Sequence, residues 1–192
     1  MLNLFLGILL FINSLPNDTL NQIDEKVNGK WRIQPDKSSL EFKIPVMFVF
    51  PVTGTFSGVH GTIEISKDLY EMKVDLTIDP KTIDTGNDKR DDHLRSEDFF
   101  YVEKYASISF SALKISHQVL ENEYMVEGNL TIKDVTKAII VPITLEGINS
   151  EGLIVFSGSK NINRQEFHID YTGRGVQDVA EVDFTIVAER IE

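Results

Sequence analysis

The chain reads as a mainly β protein, a closed antiparallel eight-stranded barrel with one short helical insertion near residues 88–99. Two observations carry this. Apolar and polar residues alternate with a period of two over most of the chain from Trp31 onward, which marks strands with one buried face. One segment alone, 84–100, breaks the alternation with a run of charge that opens on capping residues. A length of 192 residues and a hydrophobic fraction of 42% suit a single domain with a substantial core, able to bury roughly 70% of its unfolded surface. A two-sheet sandwich is the alternative. Closure is preferred because a barrel removes its edges, and eight strands leave room for one small ligand.

The elements follow in order. Residues 2–15 are apolar apart from Asn3, Asn13 and Ser14. That is shorter than the about 20 residues a membrane-spanning helix needs, so 1–15 is expected to be a signal peptide, which implies a periplasmic or secreted protein. Polar residues 16–28 read as a linker, and 29–192 as the barrel. Leu40, Phe42, Ile44, Val46, Phe48, Phe50 and Val52 share one parity, interrupted by Pro45 and Pro51, which cannot donate to a strand ladder. Phe56 and the set Val59, Ile63, Ile65 differ in parity, which predicts a bulge near Ser57 and Gly58. Further strands are expected at 72–79, around Ile108 and Phe110, at 124–132 and 139–145 either side of a turn at Lys133 and Asp134, at 153–162 and at 182–188. The helix is capped by Asn87 or Asp88, carries Asp91 and Asp92 in its first turn, where the helix dipole favours acids, and ends near Ser96.

Composition excludes several function classes. A net charge of −11 gives no electrostatic footprint for nucleic acid, and it argues against a polybasic membrane anchor. The absence of cysteine removes disulfides, thiolate metal sites, a cysteine nucleophile and a lipidated cysteine.

The charged segment has a further meaning. Thr85-Gly86-Asn87, Lys89-Arg90-Asp91, His93-Leu94-Arg95-Ser96 and Asp98-Phe99-Phe100 resemble the signature of the YceI-like family of lipocalin-like, polyisoprenoid-binding proteins. Gly128-Asn129-Leu130-Thr131-Ile132-Lys133-Asp134-Val135-Thr136-Lys137 is similar to a second signature, and Ile162-Asn163-Arg164-Gln165-Glu166-Phe167 to a third. Trp31-Arg32-Ile33, Ser38-Ser39-Leu40-Glu41-Phe42 and Val52-Thr53-Gly54-Thr55-Phe56-Ser57-Gly58 resemble the opening strands. The resemblance spans about Gly29 to Glu189. It implies an extended lipocalin-like barrel with a long-chain lipid in its pore. Two histidines common in the family are replaced here, one in the turn Gln34-Pro35-Asp36-Lys37-Ser38 and one in the segment before Val52, so no head-group contact is carried over from them.

The candidate site residues follow from parity and position. Phe42, Phe48, Phe110, Leu130 and Phe156 are the expected pore lining. Val46, Met47, Phe48, Val49 and Phe50 form an apolar run between prolines, read as a portal, with a buried turn as the alternative. Leu94, Phe99 and Phe100 are expected to cap one pore end, with Arg90 and Arg95 paired to local acids. An enzyme reading would take His93 as base and Asp91 or Asp92 as its orienter, but no nucleophile stands at a recognisable spacing. A metal reading fails because the carboxylates adjacent to His93 do not share its helix face. No catalytic residue, metal or cofactor is therefore expected. The expected function is non-catalytic binding, transport or sequestration of a long-chain isoprenoid or related lipid, with transient membrane contact and no nucleic-acid partner. A filled barrel acting as a structural or stress-related interaction protein is the first alternative, and an enzyme acting on a lipid head group the second. Oligomeric state is not legible.

Overall fold

The computed structural model describes residues 26–47, 50–66, 72–117 and 122–192. Among these, the elements are β1 (Gly29–Ile33), β2 (Ser39–Ile44), β3 (Val52–Phe56), β4 (Val59–Ile65), β5 (Lys73–Ile78), α1 (Asp88–Arg95), β6 (Ile108–His117), β7 (Glu123–Ile132), β8 (Val135–Ile148), β9 (Ile154–Asn163) and β10 (Val179–Arg190). The expected signal peptide, and the linker up to residue 25, lie outside the described residues.

The strands run in the order β1-β4-β5-β6-β7-β8-β9-β10, and β10 pairs back to β1, closing a circuit of eight. β2 and β3 extend this circuit. The far half of β10 pairs with β1 through Trp31↔Arg190 and Ile33↔Ala188, while its near half pairs with β2 through Thr185↔Ser39 and Glu181↔Lys43. β1 and β2 therefore share one wall position, broken at the tight turn Pro35–Lys37. Ser38 repairs the broken ladder: its hydroxyl donates to the Gln34 carbonyl at 2.8 Å and accepts from the Val187 amide at 3.0 Å. β3 and β4 are likewise separated at Ser57 and Gly58: the parity change expected there as a bulge within one strand is a break between two strands with different partners. There the Gly58 carbonyl accepts from the Asp79 amide at 2.9 Å. Among the strands β3 pairs with β2 alone, and its other side meets the helical insertion through a bridge between Thr55 and Asp84.

One end of the barrel is packed shut. Trp31, Ile65, Ile115, Tyr124, Ile154 and Ala188 are buried there. The Trp31 indole N–H donates to the Val27 carbonyl at 2.9 Å, and the Arg190 guanidinium lies 4.4 Å from the indole ring centre. Arg190 also donates to the carbonyls of Asn28 and Lys26. Burial pushes the Tyr124 phenol above its ordinary range.

Candidate functional site

Inward-facing residues of the strands enclose a cavity of about 890 Å³. Its wall includes Leu40 and Phe42 on β2, Phe110 on β6, Leu130 on β7, Phe156 on β9 and Phe184 on β10. This volume sits near the top of the roughly 300–1,000 Å³ range of small-molecule sites. The filled-barrel alternative is not met.

Three glycines account for the open bore. A methyl group at Gly54 would lie 2.6 Å from two ring atoms of Phe42. At Gly128 it would lie 2.4 and 2.6 Å from the Phe110 ring, and at Gly158 it would lie 2.5 Å from the Phe184 ring. Phe42 and Phe184 stand directly across the ladder from their glycines, and Phe110 reaches Gly128 diagonally, since its direct partner is Leu130. Each ring therefore lies along the wall over bare backbone instead of standing into the lumen. None of these three glycines has a positive φ, so close approach is what requires them.

The opposite end from Trp31 is the mouth, built by α1, the loop 164–178 and the segment 45–47. The Asn87 side chain accepts from the Arg90 amide at 3.1 Å, capping α1, and the Ser96 hydroxyl donates to the His93 carbonyl at 2.7 Å. Asp91, buried, accepts from the Thr85 amide at 3.0 Å and from the Thr85 hydroxyl. Among the described residues Arg90 does not pair with an acid as expected: it donates to the Thr85 hydroxyl at 2.7 Å and the Thr85 carbonyl at 2.9 Å. The reason is that Asp91, the nearest buried acid, is already taken by the other side of the same threonine. Arg95 does meet an acid, Asp92, at 3.3 Å, and donates to the Lys81 and Ile83 carbonyls at 3.0 and 2.7 Å. These bonds fasten the helix to the loop before it and set Leu94, Phe99 and Phe100 against the cavity, which all three line.

His93 also lines the cavity. Its Nε2 lies 2.8 Å from Asp98 Oδ2, and its ring meets Phe99 and Tyr171 edge to face at 5.1 and 5.0 Å. Asp91 and Asp92 have other partners, so the orienting pair considered in the enzyme reading does not form. Arg164, 6% exposed, ties down the second loop. It donates to the Gln177 carbonyl at 3.0 Å, to the Ile169 carbonyl, and to Asp178 Oδ1 at 3.1 Å. The turn between β7 and β8 docks on the same loop through Lys133 Nζ and the His168 carbonyl at 2.6 Å. The Asp134 carboxylate lies 3.3 Å from His168 Nδ1; its own backbone N–H, and then His168, hold it below the usual carboxylate range.

The sequence-predicted residues fall as follows. Phe42, Phe110, Leu130 and Phe156 lie on the cavity wall. Phe48 and Val49 lie outside the described residues. Val46 and Met47 line the cavity, with Val46 bridged to Val176 and the Met47 amide donating to the Gly175 carbonyl at 3.0 Å. Met47 is 52% and Phe50 93% exposed, so neither belongs to a buried turn. Phe50 is not among the lining residues. Sequence reasoning missed Lys160, Arg164 and Tyr171, all at the cavity. Parity would have found Lys160, which shares its face of β9 with Ile154, Phe156 and Ile162.

Residues 31–188 match the YceI-like domain. The chain belongs to the YceI-like family. A UPF0312 protein of Staphylococcus epidermidis is 31% identical over 173 residues, covering 82% of this chain and 98% of the relative. Among solved structures, Burkholderia cenocepacia BcnA is similar with a TM-score of 0.74 at 24% identity, covering 82% of this chain and 99% of that one. The Campylobacter jejuni YceI protein has a TM-score of 0.65 at 25% identity, with 77% and 90% covered. A polyisoprenoid binding domain from Saccharophagus degradans, implicated in plant cell wall breakdown, has a TM-score of 0.68 at 15% identity, with 84% and 98% covered. The three YceI-like signatures now have physical roles in this chain. The first builds the Thr85–Asp91–Arg90 cluster at the mouth, the second the β7–β8 hairpin, and the third the Arg164 anchor.

Proposed function

We propose that this protein holds one long-chain lipid, an isoprenoid or a lipid of similar shape, inside the barrel, and carries or sequesters it without chemistry of its own. One observation carries the reading: a cavity of about 890 Å³ walled by aliphatic and aromatic side chains, in a barrel packed shut at one end. The polyisoprenoid-binding relative from Saccharophagus degradans supports the ligand class. Such a wall acts as a substitute solvent. Each buried methylene contributes about 0.8 kcal/mol, most of it offset by the ordering of a flexible chain. Selection then rests on shape and length more than on polar contacts.

The wall residues Phe42, Phe110, Leu130 and Phe156 contact the lipid chain, with Phe48 added on sequence parity. Leu94, Phe99 and Phe100 cap the mouth. Val46, Met47, Phe48, Val49 and Phe50 form the portal, where exposed Met47 and Phe50 make brief contact with a membrane. His93 serves to position the cap, because its Nε2 is committed to Asp98 and its ring is packed between Phe99 and Tyr171. The apolar run at residues 2–15, read as a signal peptide, supports a periplasmic or secreted location.

Uptake of a fluorescent isoprenoid from neutral phosphatidylcholine vesicles tests the reading. Saturation at one probe per chain is expected. Failure to extract any probe, by a protein that melts cooperatively, would refute it.

A further inference from the structure

The cavity is not uniformly apolar, and the Lys and Arg side chains on its wall have no acidic counterpart there among the described residues. Lys89, Arg90 and His93 from α1, Lys160 from β9 and Arg164 beyond it all line the cavity, and no Asp or Glu does among the described residues. The chain as a whole has 30 acidic and 19 basic residues. An acidic protein has therefore kept its acids out of this one space.

Lys160 is the informative member. It occupies the inward parity of β9, between Gly158 and Ile162, where every neighbouring side chain on that face is apolar. It stands opposite Val182, which pairs in turn with Phe42, and Phe42 with Gly54. Gly54 abuts Thr85, the residue that Arg90 brackets. Lys160 lies near the end of β9 that leads into the 164–178 loop, so it and Arg90 both line the lumen toward its mouth. Arg90 and Arg164 are occupied by Thr85 and by Asp178 with backbone carbonyls. Lys160 has neither an ion pair nor a hydrogen-bonded partner among the described residues. Lys160 is half-buried as a residue, and an ammonium beside apolar walls gains most from an anionic acceptor, since a charge-assisted hydrogen bond is stronger than a neutral one.

On the lipid-carrier reading above, we infer that the bound lipid carries an anionic head group, a phosphate or carboxylate, held at the mouth by Lys160 with its tail directed toward the closed end. Arg90 and Lys89 add to the positive field there. A neutral lipid would leave Lys160 unsatisfied beside an apolar chain.

Geranylgeranyl phosphate and geranylgeraniol share one tail and differ in this group alone. Titration of each into the protein, followed by native mass spectrometry, should show the phosphate bound at least about tenfold more tightly, as expected for one charge-assisted hydrogen bond in a partly dry site. Lys160→Met should erase most of that preference while leaving geranylgeraniol binding unchanged or stronger, Lys160→Arg should keep it, and added salt should weaken it. Both variants are melted alongside to show that the fold persists. Equal binding of the two ligands by the wild type, or a preference that survives in Lys160→Met, would overturn the head-group inference and leave the carrier reading standing. Binding of neither ligand would overturn both. Displacement of the bound phosphate lipid by inorganic phosphate at modest concentration would also overturn it, by showing a free-anion site independent of the tail.

Discussion

Gly54→Ala is the sharpest single perturbation of the bore. The added methyl would lie 2.6 Å from two ring carbons of Phe42 and 2.7 Å from the Thr85 methyl. Carbon atoms settle at about 3.5–4.0 Å, so the Phe42 ring must retreat by roughly 1 Å, and with β3 behind the new methyl the retreat is into the lumen. Overpacking of this kind costs about 1–3 kcal/mol. In a chain of this length that lowers the melting temperature by roughly 2–4 °C per kcal/mol. The expected signature is a modest drop in melting temperature together with weaker binding of a long, branched isoprenoid. A thin saturated chain should be affected less. The cycle with Phe42→Ala isolates the cause: removing the ring removes the two closest contacts of the methyl and leaves that with the Thr85 methyl at 2.7 Å, so binding in the double variant should recover toward that of Phe42→Ala alone. Calorimetric melts and vesicle-uptake titrations on the four proteins decide it. Unchanged isoprenoid binding in Gly54→Ala, or an equal loss on adding it to Phe42→Ala, would refute the claim that the ring–glycine pairs set the bore.

Three other outcomes are expected. Met47→Asp with Phe50→Asp should slow stopped-flow transfer of a fluorescent isoprenoid from vesicles, because a charge at the mouth must lose water as the chain passes; both residues are exposed, so melting should barely change, and unchanged transfer would leave the portal elsewhere. His93→Ala should keep equilibrium lipid binding within a few-fold, measured by the same uptake assay, whereas loss of a measurable turnover on lipid with the fold intact would favour the enzyme reading. Arg164→Met removes a buried guanidinium that satisfies Asp178 and two loop carbonyls. It should cost about 2 kcal/mol, lowering the melting temperature by roughly 4–8 °C, and a change within error would mean the loop is held by other contacts.

The barrel was legible because the side-chain period is two along nearly every strand, and because one charged segment interrupts it. The broken wall positions were partly legible. The parity change at Ser57 and Gly58 marked one break, but the turn at Pro35–Lys37 splits β1 from β2 through a hydroxyl bond that no spacing announces. The parity of Phe42 holds past the end of its strand at Ile44 as far as Val46, which lines the cavity, but not at Phe50, which is 93% exposed. The wall aromatics Phe42 and Phe110 could be placed inward, but not their posture. That posture depends on Gly54 and Gly128, residues on neighbouring strands and distant in sequence. The partner of Arg90 was illegible for a similar reason. Its acid neighbours were near in sequence, and the contact went to Thr85 because the chain folds back ahead of the helix. Lys160 was legible and overlooked: a single cation on an apolar parity is visible in the sequence of β9 itself.

Whether a lipid occupies this barrel is settled by native mass spectrometry of the full chain, purified without detergent, followed by solvent extraction of whatever is released. A mass increment of one long-chain lipid per protein is expected, lost on extraction and regained after incubation with vesicles. A protein that carries only its own mass at every stage, and gains none from vesicles while still folded, would contradict the assignment of the cavity to a lipid.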